Sequence, residues 1–322
     1  MKVLLTGSKG QLGSCFRDRL PSGWDLLATD SESLDISDLA RVKQVVADYR
    51  PDVIVNAAAY TAVDKAESDG ELAARINEQG PSYLALAAAA HGCRLIHVST
   101  DYVFDGRASR PYREDDATNP LGVYGSTKLD GERAVAGVLP GAIVLRTAWV
   151  FSEYGNNFVK TMLRLAKERD VLGIVGDQRG CPTYAGDIAQ AIIELLKREA
   201  AGGVYHFCGN KEVSWSEFAG AIFAAALGQG TLTRLPQVND ITTDQYPTPA
   251  KRPAYSSLDC GKIESLGIQP SDWQQALKNI MPVLGERWFF SLLDKEKGEH
   301  LKNVRLFSSL SIKKRSRSNF LF

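Results

Sequence analysis

The chain has 322 residues, 44% of them apolar and 24% charged, with 38 Lys and Arg balanced by 38 Asp and Glu. That length builds a sizeable core in one large domain or two ordinary ones, and zero formal charge argues against a protein that works mainly on nucleic-acid phosphate. The balance is uneven: residues 301–322 hold six basic side chains (Lys302, Arg305, Lys313, Lys314, Arg315, Arg317) and no acidic one, leaving 32 basic and 38 acidic residues in 1–300.

No apolar run approaches the ~20 residues that span a bilayer, so no membrane partner is expected. The opening MKVLLTGSKG is too short in apolar residues for a signal peptide. Five cysteines (15, 93, 181, 208, 260) are scattered and lack CxxC spacing. A disulfide framework or zinc cage is not expected, and a reducing cytoplasm is the default.

In chain order, Val3-Leu4-Leu5 leads through glycines into a helix over 11–20, a strand over 25–28 and a helix over 39–49. A buried strand follows at 52–56, then an Ala-rich helix from about 66 to 90 and a strand at 94–98. A helix over 123–136 and a strand over 142–145 complete the first half. Strands alternating with helices predict a parallel sheet, and all-apolar strands predict helices on both faces. The expected fold is α/β, a doubly wound Rossmann-type sheet over residues 1–150 with a smaller, discontinuous substrate domain over 151–285. Helices are predicted at 157–167 and 185–198, and a strand near 203–208 is expected to join the first sheet. Ser214 and Glu217 form a capping-box pattern at the start of a helix over 214–227. The Thr-, Pro- and Gln-rich stretch 229–257 reads as a looped segment over a site. Residues 286–322 have no clear period and read as a frayed basic appendage.

Thr6-Gly7-Ser8-Lys9-Gly10-Gln11-Leu12-Gly13 joins the first strand to the first helix. Gly7 permits the turn, Gly10 a close approach to a pyrophosphate and Gly13 tight helix–strand packing, while the helix N-terminus favours anions. The spacing is GxxGxxG, not GxGxxG, so position, more than pattern, carries the reading. Asp30 ends the second strand, where a carboxylate accepts hydrogen bonds from adenosine ribose. Ser31 and Glu32 offer no cation for a 2′-phosphate, which favours NADH; Lys9 in the loop keeps NADPH open. Asp35 and Ile36 follow as an adenine contact.

Tyr124-Gly125-Ser126-Thr127-Lys128 is a YxxxK arrangement at a helix start, and residues four apart share a helix face. A neighbouring ammonium favours phenolate, which makes the tyrosine a better proton donor and acceptor near neutrality. Thr100 follows the fourth strand, where ligands of such sheets bind, and its hydroxyl suits a substrate carbonyl oxygen. Glycine loop, strand-end threonine and YxxxK within one α/β unit point to a dinucleotide-dependent oxidoreductase.

The chain resembles the extended short-chain dehydrogenase/reductase superfamily, and within it the dTDP-4-dehydrorhamnose reductase family. The matching stretches are VIVNAAAYTAVDKAE (53–67), STDYVFDG (99–106), NPLGVYGSTKLDGE (119–132), LRTAWVF (145–151), GNNFVKTMLRLAKE (155–168), GDQRGCPTY (176–184) and YPTPAKRPAYSSL (246–258). The resemblance implies Thr100, Tyr124 and Lys128 as the catalytic triad. It implies Gly7, Gly10, Gln11, Leu12, Gly13, Asp30, Asp35, Ile36, Ala59, Tyr60, Thr61, Tyr124 and Lys128 around NADH or NADPH. Thr100, Asp101 and Trp149 would contact the dTDP-sugar, and Arg252 its diphosphate. The implied activity is reduction of the C4 keto group of dTDP-6-deoxy-L-lyxo-4-hexulose to dTDP-L-rhamnose, a step toward cell-surface polysaccharide such as O-antigen. Some relatives hold magnesium between subunits with glutamates; Cys15 and Gly186 stand at those places here. No such metal site is therefore expected, which leaves a homodimer in doubt. Two other readings stay open: a dinucleotide-binding regulator similar to the methionine adenosyltransferase beta subunit, and an epimerase or other enzyme of a nucleotide-sugar step.

Overall fold

Strand β1 (Lys2–Thr6) sends Val3 and Leu5 into one buried cluster and Leu4 into another. A strand covered on both faces has no solvent side, which is why its sequence does not alternate. The computed structural model describes residues 1–285; the appendage expected at 286–322 lies outside the described residues.

The first half continues with α1 (Gln11–Asp18), β2 (Asp25–Ala28), α2 (Leu39–Tyr49), β3 (Val53–Asn56), α3 (Val63–Ala66), α4 (Gly70–Ala74), α5 (Gly80–His91), β4 (Arg94–Thr100), α6 (Val123–Val138) and β5 (Ile143–Thr147). The second half comprises β6 (Val150–Phe151), α7 (Phe158–Glu168), β7 (Val171–Val175), β8 (Arg179–Gly180), β9 (Thr183–Tyr184) and α8 (Ala185–Lys197). After them come β10 (Gly203–His206), β11 (Val213–Ser214), α9 (Trp215–Gly228), β12 (Gln237–Ile241) and α10 (Gly261–Glu264), with helical backbone over 273–285.

Six strands form one parallel sheet in the order β10-β5-β4-β3-β1-β2, as the α/β reading expects. The order reverses between β1 and β3, and a crevice at such a switch point, outside the carboxyl ends of the strands, is where these sheets bind ligands. Thr6, Asn56, Thr100 and Thr147 stand at those ends. On one face lie α1 and α8; on the other α2, α5 and α6 cover Leu4, Ile54 and Leu95. Helix α8 buries Ile188, Ile192, Ile193, Leu195 and Leu196. At roughly 1.5–3 kcal/mol per large aliphatic side chain, this face dominates its attachment.

A separate cluster gathers Phe151, Val159, Leu163, Phe218, Ile222 and Trp273 from β6, α7, α9 and the 273–285 helix. Ser214 caps α9 as its sequence predicts, its Oγ accepting from the Glu217 amide at 3.1 Å. Two features differ from the sequence reading. The expected helix over 66–90 is broken into α3, α4, a π-helical stretch (Arg75–Gln79) and α5. The 229–257 stretch contains β12, which pairs in parallel with β7 in a two-stranded sheet. Most of β12 is exposed, so it has no apolar period to betray it.

Candidate active site

Helix α1 starts after Gly10 with no side-chain cap and no acidic residue in its first turn. Its first amides are therefore available to an anion. Gly7 takes φ +69°, and a Cβ on Gly13 would fall 2.2 Å from the Gly7 carbonyl oxygen, so the loop closes only with hydrogen at that position. This cradle fits a dinucleotide pyrophosphate. Beside it Lys9 pairs with Asp30 and, at 3.2 Å, with Glu32. The Lys9 ammonium and the Ser33 amide and hydroxyl hold the Asp30 carboxyl well below the usual range.

Thr100 ends β4, paired with Thr147 of β5. Its hydroxyl accepts from the Tyr102 amide at 3.2 Å, donates to Asp101 Oδ1 at 3.0 Å and lies within hydrogen-bonding reach of the Tyr124 phenol. Tyr102 packs edge-on against Tyr124, ring centroids 5.4 Å apart. One turn along α6, Lys128 is 2% exposed and donates from Nζ to the Val98 carbonyl at 2.6 Å. Burial pushes its ammonium down to about 8, opposed by Glu132. Burial also pushes the Tyr124 phenol up to about 12, so the free protein keeps it protonated at neutral pH and able to donate. The expected lowering of the phenol by the neighbouring lysine is not found: Nζ is turned onto Val98, and desolvation sets the direction.

Asp101 is 2% exposed, and burial lifts its carboxyl to about 6. Its Oδ2 has no hydrogen-bond partner, nor has the buried Ser256 Oγ beside it. Two such atoms next to Thr100 are what a polar ligand would satisfy. Trp149, at φ +46°, stacks on Trp215 with centroids 3.5 Å apart and planes 4° from parallel. A Cβ on Gly180 would fall 2.6 Å from Trp149 Cε2 and 2.9 Å from Ser256 Oγ, so the indole lies close to the Asp101 pocket. Arg252 forks onto Asp64, Nη1 to Oδ1 at 3.0 Å and Nη2 to Oδ2 at 2.8 Å.

Residues 1–285 match the family described as the RmlD substrate binding domain. The chain belongs to that family. It is 51% identical over 287 residues to a dTDP-4-dehydrorhamnose reductase from Aggregatibacter actinomycetemcomitans, covering 87% of this chain and 98% of the relative. A solved dTDP-4-dehydrorhamnose reductase from Clostridium acetobutylicum superposes with a TM-score of 0.83 at 39% identity, covering 88% of this chain and 99% of that one. Another, from Bacillus anthracis in complex with NADP, gives a TM-score of 0.81 at 37% identity over 86% and 97% of the two chains. The resemblance read from the motifs is thereby borne out.

In this RmlD-family chain the structure brings Thr100, Asp101, Tyr124 and Lys128 together at the end of β4. Gly7, Gly10, Gln11, Leu12 and Gly13 form the turn into α1, with Leu12 packed on the sheet core. Ala59, Tyr60 and Thr61 follow β3. Asp35 is exposed and accepts from the Ser37 amide and hydroxyl, whereas the Ile36 side chain is buried against Gly80. Arg252 is held by Asp64.

Two residues, Asn77 and Arg19, and the partners of Gln11 leave no signal in the sequence. Asn77, in the π-helical stretch, accepts from the Tyr60 amide at 2.8 Å and donates to the Tyr60 carbonyl and Thr127 Oγ1, pinning the Tyr60 loop to α6. Gln11 Oε1 accepts from Ser152 Oγ and Asn157 Nδ2, both at 2.9 Å, which ties the glycine loop to the segment before α7. Arg19 lies over Gly186 and donates to the Cys15 carbonyl and Tyr184 Oη, each at 3.2 Å. Among the described residues no group of three or more His, Cys, Asp and Glu is placed to hold a metal ion, and no helix is long and apolar enough to cross a membrane.

Proposed function

We propose that this chain is an NAD(P)H-dependent oxidoreductase that reduces the C4 keto group of dTDP-6-deoxy-L-lyxo-4-hexulose, giving dTDP-L-rhamnose. The observation that carries the reading is the Thr100 hydroxyl set against a protonated Tyr124 phenol, one helix turn from buried Lys128. Reduced nicotinamide, when bound, supplies the hydride to C4. The α1 N-terminus and its glycines would hold the pyrophosphate, Asp30 the adenosine ribose and Lys128 the nicotinamide ribose. Thr100 orients the carbonyl oxygen. Tyr124 donates its phenolic proton to that oxygen as negative charge develops, with Lys128 stabilising the phenolate left behind. Asp101 and Ser256 offer hydrogen bonds to the sugar, Trp149 an apolar wall and Arg252 a cation for the diphosphate.

On this reading residues 1–150, with β10, bind the dinucleotide, and residues 151–285 mainly bind the nucleotide sugar. The five buried free thiols support a cytoplasmic setting. A homodimer would have to form without the metal bridge, since Cys15 and Gly186 stand in place of its glutamates, and sedimentation would test it. The decisive experiment incubates purified protein with NADPH or NADH and the dTDP-4-keto sugar and follows loss of nicotinamide absorbance. Oxidation in excess of enzyme is expected, and Tyr124→Phe should lose about 10²–10⁴-fold in turnover while still binding cofactor. Sugar-independent behaviour, or wild-type turnover in Tyr124→Phe, would overturn it.

A further inference from the structure

One turn beyond Lys128 on α6, Glu132 is a buried carboxylate that touches neither of the expected ligands. Its Oε1 accepts from Ser99 Oγ and, at 3.0 Å, from Arg146 Nε; its Oε2 accepts from Arg146 Nη2 at 2.7 Å. The side chains of Arg146 and Glu132 are 5% and 6% exposed. Arg146 Nη1 approaches His206 Nε2 at 3.4 Å, and His206 Nδ1 faces the Tyr112 carbonyl at 3.0 Å. One carboxylate thus joins α6 to the strand ends of β4, β5 and β10, immediately behind Thr100 and Lys128.

Ion pairs this deeply buried are poor stabilisers, because desolvating two charges offsets most of their attraction. A well-packed apolar pair would serve packing equally well. The retained charge is explained by what stands four residues away on the same helix face, a buried lysine with only one carbonyl contact. We propose that Glu132 is a positioning residue for the proposed reaction: its carboxylate keeps Lys128 charged and, through Ser99, holds the strand end that presents Thr100. This rests on the assignment of Lys128 made above.

Other ionisable groups around Lys128 do not substitute for it. On its own helix, Tyr124 is neutral. On β4, His97 is held neutral by burial and by Lys128 itself. Asp101, after β4, acts on Tyr124. Behind Glu132, Arg146 is positive and His206 is neutral, pushed down to about 3 by burial. Helix α5, packed along α6, offers only Tyr83 and the exposed His91; from the segment before it Asn77 reaches Thr127, half-buried Glu78 lies with its backbone against Gly131, and Glu71 and Arg75 are exposed. At the start of α6, Glu67 is taken by the Val123 amide.

The test compares wild type, Glu132→Gln, Glu132→Gln/Arg146→Gln and Ser99→Ala by the pH dependence of kcat and, by nicotinamide fluorescence, of NADPH affinity. The double variant removes both charges together, so it folds even where the single variant leaves Arg146 buried and unpaired. Loss of the carboxylate should move the alkaline limb of both profiles down by about one pH unit, while Ser99→Ala lowers kcat without moving it. Glu132→Asp, which keeps the charge, should restore the limb. An unmoved limb in both Gln variants would overturn the proposal. A shifted NADPH limb with no sugar-dependent oxidation in wild type would instead overturn the reductase reading and leave Glu132 in its role.

Discussion

Arg252 closes a two-pronged salt bridge on Asp64, through which residues 248–252 are tied to α3. The same Nη1 donates to Thr248 Oγ1 at 2.6 Å and the Ala250 carbonyl at 3.3 Å, so the guanidinium is fixed in orientation before any diphosphate arrives. A lysine cannot reproduce that fork. Arg252→Lys should raise KM for the nucleotide sugar about tenfold, roughly 1.4 kcal/mol, and leave KM for NADPH within about twofold. Steady-state kinetics with each substrate varied separately checks this; an equal rise in both constants would place Arg252 outside the sugar site.

Lys9 and Asp30 oppose each other where the proposed site would hold the adenosine. Asp30 suits a ribose 2′-hydroxyl and repels a 2′-phosphate, while Lys9, paired to Asp30 and Glu32, attracts one. Lys9→Ala should therefore raise KM for NADPH several-fold more than KM for NADH. Asp30→Ala should do the reverse, weakening NADH and sparing NADPH. Initial rates with both cofactors for both variants decide it, and parallel changes would sink the assignment.

How much of this was legible beforehand follows from the kind of signal each feature leaves. Apolar runs such as Val53–Asn56 and the Ser214/Glu217 box mark elements by local chemistry alone, and the fold class follows from them. Strand β12 is mostly exposed and pairs with one partner, so its sequence is no different from a loop. The π-helical break at Arg75–Gln79 leaves no period either; what it achieves, turning Asn77 onto Tyr60, is a long-range contact. At the site, Thr100, Tyr124 and Lys128 were legible as residue types at fixed spacing. The contacts that anchor the glycine loop and the strand end behind Thr100 were not, because Gln11 with Asn157 and Glu132 with Arg146 are partners that only the fold brings together.

Trp149 is fixed on two sides, by the Trp215 stack and by Gly180. Gly180→Ala would put a methyl 2.6 Å from Trp149 Cε2, so either the indole or β8 must shift. The expected result is a sugar KM raised about tenfold with NADPH affinity unchanged, since the glycine loop is not involved. Trp215→Ala should act in the same direction and also lower stability by about 3 kcal/mol, read by thermal unfolding. If the sugar KM is unaffected in both, Trp149 is a packing residue only.

Asp101 gives a prediction about stability with the opposite sign to most buried acids in salt bridges. Its carboxyl, lifted to about 6 by burial, binds a proton more readily folded than unfolded. Its contribution is therefore most favourable below about pH 4 and is lost as pH rises through about 6, a change on the order of 2–3 kcal/mol. Asp101→Asn removes the charge while keeping the shape. At pH 7.5 the variant should melt roughly 5 °C higher than wild type, and the difference should vanish near pH 4. Its turnover should fall, because the buried, unpartnered Oδ2 proposed to meet the sugar is replaced. Thermal unfolding of both proteins across pH 4 to 8 is the measurement; a variant less stable than wild type at pH 7.5 would mean that the carboxylate is satisfied in the folded protein.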